Sequence, residues 1–235
     1  VKHRLTFFNI AIFLIIALHA NGQGRFTIEP RFGLGTYNMS QMKQLQAEMG
    51  HSTGVQYKVT DEFPAYFNYG LVVSYHLTEQ NRFSLFFETG SSGGRVAYED
   101  YSGKFTSDQL VKYKSVGAFL SRDFGTGDLK FILGLESSFI FSDLTLESNI
   151  QIEDYQDSAK DDFKAYGYGL KPYIGIARAF NRIEPKVTLG YLYNDSNSFY
   201  WEGNKDMILT SNNQEVAPDW SGLRLNISLG FNIGK

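Results

Sequence analysis

Few side chains in this sequence are placed to do chemistry. After residue 22 there are two histidines, His51 and His76. Ser74, His76 and Thr78 alternate along one segment, and in a strand they would share a face. A Ser/His pair on one face is the minimum for a lipid hydrolase, in which imidazole takes the hydroxyl proton. That face points away from the apolar side of its own segment, and no third residue is in place to orient the imidazole. A hydrogen-bonded interior histidine is therefore the simpler expectation. Glu153, Asp154, Asp157, Asp161 and Asp162 could hold a divalent cation through carboxylate oxygens, but the spacing matches no EF-hand and acidic runs are usually solvated. Phosphate-binding glycine loops, zinc spacings and nucleophile elbows are absent. There are no cysteines, which excludes disulfides, thiolate metal sites and a lipidated cysteine. The sequence implies no cofactor. One short helix is predicted from Ser40 to Met49, with Ser40 as N-cap, Met42, Leu45 and Met49 on one side, and Gly50 as its stop. It could be a lid or dock a partner, or simply bury its apolar side on the rest of the fold, which short amphipathic stretches normally do.

The elements that would position these residues differ sharply along the chain. Lys2, His3 and Arg4 precede an apolar run from Leu5 to Leu18, and Ala20, Asn21 and Gly22 follow with small residues at a cleavage site. Residues 1–22 are expected to be a signal peptide and 23–235 the mature domain. The apolar run is shorter than the roughly 20 residues a membrane-spanning helix needs. Removing it takes away Lys2 and Arg4, so that 22 Lys and Arg against 25 Asp and Glu becomes 20 against 25. That balance argues against nucleic acid as a partner. With 20 Phe, 15 Tyr and 23 Gly against 5 Pro, the composition favours strands and tight turns.

The last segment shows the pattern best. Leu223, Leu225, Ile227, Leu229, Phe231 and Ile233 alternate with Arg224, Asn226, Ser228, Gly230 and Asn232, a strand with one apolar face. Seven more segments read the same way, at 26–35, 67–78, 82–88, 110–124, 129–141, 166–176 and 184–193. Pro30 in the first predicts a bulge or a missing ladder bond. Connections alternate in length: 79–81, 125–128 and 181–182 are tight, whereas 38–64, 95–109, 143–163 and 194–219 are long and polar. Short turns on one side and long loops on the other predict an eight-stranded antiparallel up-and-down transmembrane β-barrel, with both ends of the domain on the periplasmic, short-turn side and aromatic girdles at the strand ends. A soluble eight-stranded barrel would instead turn its apolar face inward around a ligand. The charges on the non-apolar face favour a polar lumen: Glu29, Arg31, Arg82, Glu88, Lys130, Glu136, Lys171, Glu184, Lys186 and Arg224 supply both signs for pairing across it.

The segments Arg31-Phe32-Gly33-Leu34-Gly35, Phe63-Pro64-Ala65-Tyr66-Phe67 and Leu229-Gly230-Phe231-Asn232-Ile233-Gly234-Lys235 resemble the small OmpA/OmpX-like outer-membrane barrels of the Bacteroidota type, often grouped as PorT-like. The resemblance departs from many such barrels at Lys235, where an aromatic residue is common, so the insertion signal is expected at Phe231. It implies an outer-membrane location, outer-membrane lipid and lipopolysaccharide as surroundings, and a non-enzymatic structural or interaction role in the envelope, with a protein partner possible in principle. The alternatives are a component of an envelope machine such as a secretion system, a lipid-modifying enzyme, and a narrow channel.

Overall fold

The computed structural model describes residues 26–52, 58–101, 103–125, 127–152 and 155–233. The expected signal peptide lies outside them. In chain order the elements are β1 (Phe26–Gly35), α1 (Ser40–Ser52), β2 (Lys58–Glu62), β3 (Tyr66–His76), β4 (Asn81–Asp100), β5 (Gly103–Phe124), β6 (Leu129–Ile152), β7 (Tyr155–Arg178) and β8 (Ile183–Ser196). Four short strands follow, β9 (Tyr200–Trp201), β10 (Asn204–Ile208), β11 (Thr210–Ser211) and β12 (Gln214–Glu215), and then β13 (Gly222–Ile233).

Among the described residues, eight strands close into a ring. β1 pairs with β3, then β4, β5, β6, β7, β8 and β13 follow as neighbours, and β13 returns to β1; every pairing is antiparallel. Closure leaves no edge in the ring itself, so the backbone groups of its wall pair from strand to strand except beside the prolines. Pro30 disturbs the ladder without shifting it. Ile28 pairs with Phe231 and Arg31 with Ser228, in the same phase, while no pair forms at the two residues between. This is the missing bond of a residue that has no N–H, and there is no bulge.

The tight connections carry turn chemistry. The Thr78 hydroxyl accepts from the backbone N–H of Asn81 at 2.9 Å and of Gln80 at 3.2 Å. Asn181 takes a left-handed φ of 52° between the bridged Phe180 and Ile183, as a two-residue hairpin turn requires.

The long connections differ from their expected form. Segments 95–109 and 143–163 are for the most part strand: the β6–β7 register runs unbroken from Leu129↔Arg178 to Ile152↔Tyr155, and β4–β5 from Asn81↔Arg122 to Asp100↔Gly103. A sheet continuing into water needs no apolar face, and its polar alternation looks like loop composition. β5, β6 and β7 have 22, 24 and 24 residues against 10 in β1 and 12 in β13, so one side of the wall rises well above the other. β2 extends this tall sheet beside β4, and β9 and β10 extend it beside β7. The connection 38–64 holds α1, which runs two residues past Gly50. Met39, at a φ of 48°, supplies the carbonyl that accepts the first helical bond from Lys43, so Met39 is the cap and Ser40 the first helical residue.

The faces are inverted relative to an ordinary soluble fold. In β6, Phe131, Leu133, Leu135, Phe139 and Phe141 are 49% to 60% exposed, whereas Glu136, Ser138 and Ser142, of the opposite parity, are 7% or less. The same outward apolar row runs along β1, β3, β7, β8 and β13. In water this would leave a continuous apolar belt uncovered, far beyond the isolated apolar side chains that soluble surfaces carry.

Candidate functional site

Among the described residues, buried polar chemistry is concentrated in the interior of the ring. Strand parity puts Glu29, Arg31, Arg82, Glu88, Glu136, Lys171, Glu184, Lys186 and Arg224 inside, each 8% exposed or less. Nearest the short-turn end, Arg82 is gripped between Glu184 and Asp123, and Lys130 reaches Asp123 at 3.4 Å. Above this, Lys186 Nζ lies 2.6 Å from Glu29 Oε2 and 3.7 Å from Glu184, while Ser228 donates to the other Glu29 oxygen at 2.5 Å. Glu136 is the hub of the middle layer, with Arg31 at 3.0 Å and Lys171 at 2.7 Å; Arg31 also faces Glu88 at 3.8 Å. Desolvating such charges singly would be prohibitive, and mutual pairing is what makes the interior tenable.

Nine of the ten charges expected inside take part in these pairs. Arg224 does not. Its guanidinium donates to the backbone carbonyls of Thr36, Leu223 and Trp220 at 2.5, 3.1 and 2.6 Å and lies 4.7 Å over the Tyr37 ring. It ties β13 to the chain leaving β1, a role that charge counting does not reveal. Asp123 was missing from the expected set. The parity of β5, read down from the outward Leu120, was the signal that places it inside.

The same strands also carry an apolar cluster. Val72, Phe86, Phe119, Ile132, Tyr173 and Ala177 lie buried on β3 to β7, strands that also bear Arg82, Glu88, Asp123, Glu136 and Lys171. Arg31 touches both groups, with its guanidinium carbon 5.6 Å from the Phe86 ring centre and 5.5 Å from that of Phe119, within cation–π range. Room for the rings comes from glycine. Gly134 sits directly across from Tyr173 and Gly90 from Tyr113, and a Cβ at either position would fall 2.2 Å and 2.7 Å from the tyrosine ring.

Towards the long-connection end the interior changes character. Met42 and Leu45 of α1, with Met49 partly buried behind them, pack with Phe63, Tyr113, Ile140, Leu144, Phe199 and Trp220. Trp220 is fully buried, donates Nε1–H to Ser142 at 2.9 Å and packs tilted at 56° against the Tyr113 ring, centroids 4.6 Å apart. The apolar side of α1 is thus turned into the ring. Gln46 donates to the Asp61 carbonyl at 2.6 Å, and Gln41 accepts from the Ala217 N–H at 2.7 Å, which fastens the helix to β2 and to the segment before β13. Tyr113 connects the layers by donating to Glu88 at 2.8 Å. Between them lies a cavity of about 20 Å³ lined by Glu88, Tyr113, Glu136, Lys171 and Arg224, room for about one water.

The Ser/His candidate comes apart. Ser74 accepts from Ser84 at 2.7 Å, and His76 Nε2 is 3.0 Å from the Thr27 hydroxyl, so serine and histidine are each engaged elsewhere. Of the acidic run, Glu153 and Asp154 lie outside the described residues. Asp157, Asp161 and Asp162 are on β7, where Asp162 accepts from Thr145 at 2.6 Å. Among the described residues no group of three acidic or histidine side chains could hold a metal.

No protein-family model and no curated protein matches the sequence. Among solved structures the chain is similar to neisserial surface protein A, at 12% identity and a TM-score of 0.42 over 90% of this chain and 98% of that one. It is similar to Ail, the attachment invasion locus protein of Yersinia pestis, at 11% identity and 0.36 over 90% and 100%. The N-terminal β-barrel domain of Pseudomonas aeruginosa OprF follows at 16% and 0.29 over 90% and 100%. Similarity at this level leaves the assignment to the chain's own ring of strands and inverted faces.

Proposed function

We propose that this chain is an eight-stranded outer-membrane β-barrel with a side-chain-filled lumen and a non-enzymatic structural or interaction role in the cell envelope. The observation that carries this is the pairing of an outward apolar belt with an inward ionic network, since lipid is the solvent that suits the first and only a sealed interior suits the second. No described helix is long and apolar enough to cross a membrane. In this reading the short turns and both ends of the domain face the periplasm, and the tall sheet of β4 to β7 projects outside the cell. Lipopolysaccharide and phospholipid are its surroundings.

The projection is the part available to partners. It exposes Tyr101, Ile150, Ile152 and Tyr155 near its tip and Met207 and Ile208 on β10, apolar side chains that lie outside the belt. That surface, together with the PorT-like resemblance, supports a narrower second reading in which the barrel is a subunit of an envelope machine. Crosslinking in intact outer membranes separates the two: a stable partner joined through residues 143–163 favours the machine subunit, and an uncrosslinked barrel favours the free-standing protein. Protease added to intact cells is expected to cut within 143–163 or 194–219 and to spare 79–81 and 125–128. Cuts confined to the short turns would invert the topology.

A further inference from the structure

The outer wall is not uniform. At its short-turn end, Phe124, Phe131, Leu133, Ile174, Ile176 and Leu189 line a groove of about 490 Å³ across β5 to β8, within the size range of small-molecule sites. Gly175 lies in its floor and points inward without a side chain, and the wall there closes onto Thr188, whose Cγ2 would stand 2.7 Å from a Cβ at 175. The inward side is thus drawn in, and the outward side is left concave.

Two arginines frame the groove. Arg122 pairs in register with Leu133 and carries its guanidinium 5.5 Å over the Phe124 ring; Arg178 follows Ile176 on the same face and lies 4.9 Å over Phe180. Arg122 also donates to Gln80 Oε1 at 3.3 Å. Neither forms an ion pair among the described residues, although Asp128 stands in the adjoining turn. Two strand spacings and four residues along β6 separate them, roughly 16 Å between Cα atoms, so they flank the mouth and do not converge on a single oxygen. A cation at the edge of an apolar belt, over an aromatic ring and with no carboxylate partner among the described residues, complements a phosphate at that depth.

We propose that this groove holds one anionic phospholipid of the periplasmic leaflet, an acyl chain lying along Leu133, Ile174 and Leu189 and the headgroup phosphate at the arginine-flanked mouth. The proposal rests on the outer-membrane reading above and specifies a lipid for one sector of its wall. The test is native mass spectrometry of the full chain released from nanodiscs of phosphatidylcholine containing one part in about ten phosphatidylglycerol. The wild type is expected to retain a single phosphatidylglycerol in preference to phosphatidylcholine. Arg122→Gln and Arg178→Gln should each lower that preference by about fivefold, the effect of one cation near a charged lipid surface. Ile174→Trp fills the groove while leaving the belt apolar, and should reduce retention of both lipids. Equal retention of the two lipids by the wild type, or an unchanged preference in the double arginine variant, would overturn the site. Insertion into pure phosphatidylcholine separates the two failures: a protein that inserts but shows no preference loses only the lipid site, whereas one that does not insert loses the membrane reading as well.

Discussion

The ring is closed twice, and the two closures are built differently. From the short-turn end to the middle layer the seal is ionic and comes from the wall itself: Arg82 with Glu184 and Asp123, Lys186 with Glu29, and Glu136 with Arg31 and Lys171, all on ring strands. At the long-connection end the seal is apolar and comes largely from connections, with Met42 and Leu45 on α1 and Phe199, Val216 and Trp220 from the segment between β8 and β13. A seal made of wall residues cannot open without spreading the strands. One made of connecting segments can be loosened while the ring persists.

The largest effect should come from the ionic hub. Glu136→Ala leaves Arg31 and Lys171 facing one another without their shared carboxylate, and removing one partner of a buried pair costs about 3 to 5 kcal/mol. Thermal unfolding followed by the gel shift between folded and boiled samples should show a large drop in midpoint. A variant as stable as the wild type would remove Glu136 from the network.

At the long-connection end, Trp220→Phe keeps most of the ring packing but takes away the bond to Ser142, a loss of about 1 kcal/mol. The difference from Glu136→Ala should show in kind as well as size. The gel shift should survive almost unchanged, while external protease cuts 194–219 faster. If both variants instead lower the gel-shift midpoint equally, the two seals unfold as one unit and the distinction fails.

The smallest effect belongs to the projection. Arg95 and Asp108 form a charge-assisted pair on an exposed face, and Asp108 raises the pKa of the already permanently charged guanidinium. Exposed pairs contribute about 0 to 1 kcal/mol, so Arg95→Ala should leave the midpoint of the barrel within error of the wild type. A fall comparable to that of Glu136→Ala would mean that the tall sheet supports the ring.

These contrasts also mark what the sequence makes legible. Period-two alternation gives the eight ring strands and their faces, because an outward apolar belt on one side and buried ion pairs on the other enforce it residue by residue, as from Leu223 to Ile233. It weakens at Val72, Phe86 and Ile132, apolar residues that face inward. There the interior is filled by an aromatic cluster, and nothing local separates an inward Phe86 from its outward neighbours Leu85 and Phe87. Beyond the belt the alternation of apolar with polar lapses, so the upper halves of β6 and β7 look like loop although their ladder continues. Arg224 carries the same lesson for the site: its position on the inward face is written in parity, but its three carbonyl partners come from the fold of the chain around Trp220.

The central claim is that the outward belt lies in lipid and the inward face does not. The chain has no native cysteine, so single cysteines at successive positions from Phe131 to Phe141 can be spin-labelled in the bilayer-reconstituted protein. Accessibility to oxygen and to a water-soluble nickel complex reports the solvent at each one. The account predicts a period of two, with Phe131, Leu133, Leu135, Phe139 and Phe141 open to oxygen and closed to nickel, and Ser138 and Ile140 closed to both. Nickel access at the outward positions, equal to that of a label on the projection at Asp157, would contradict it.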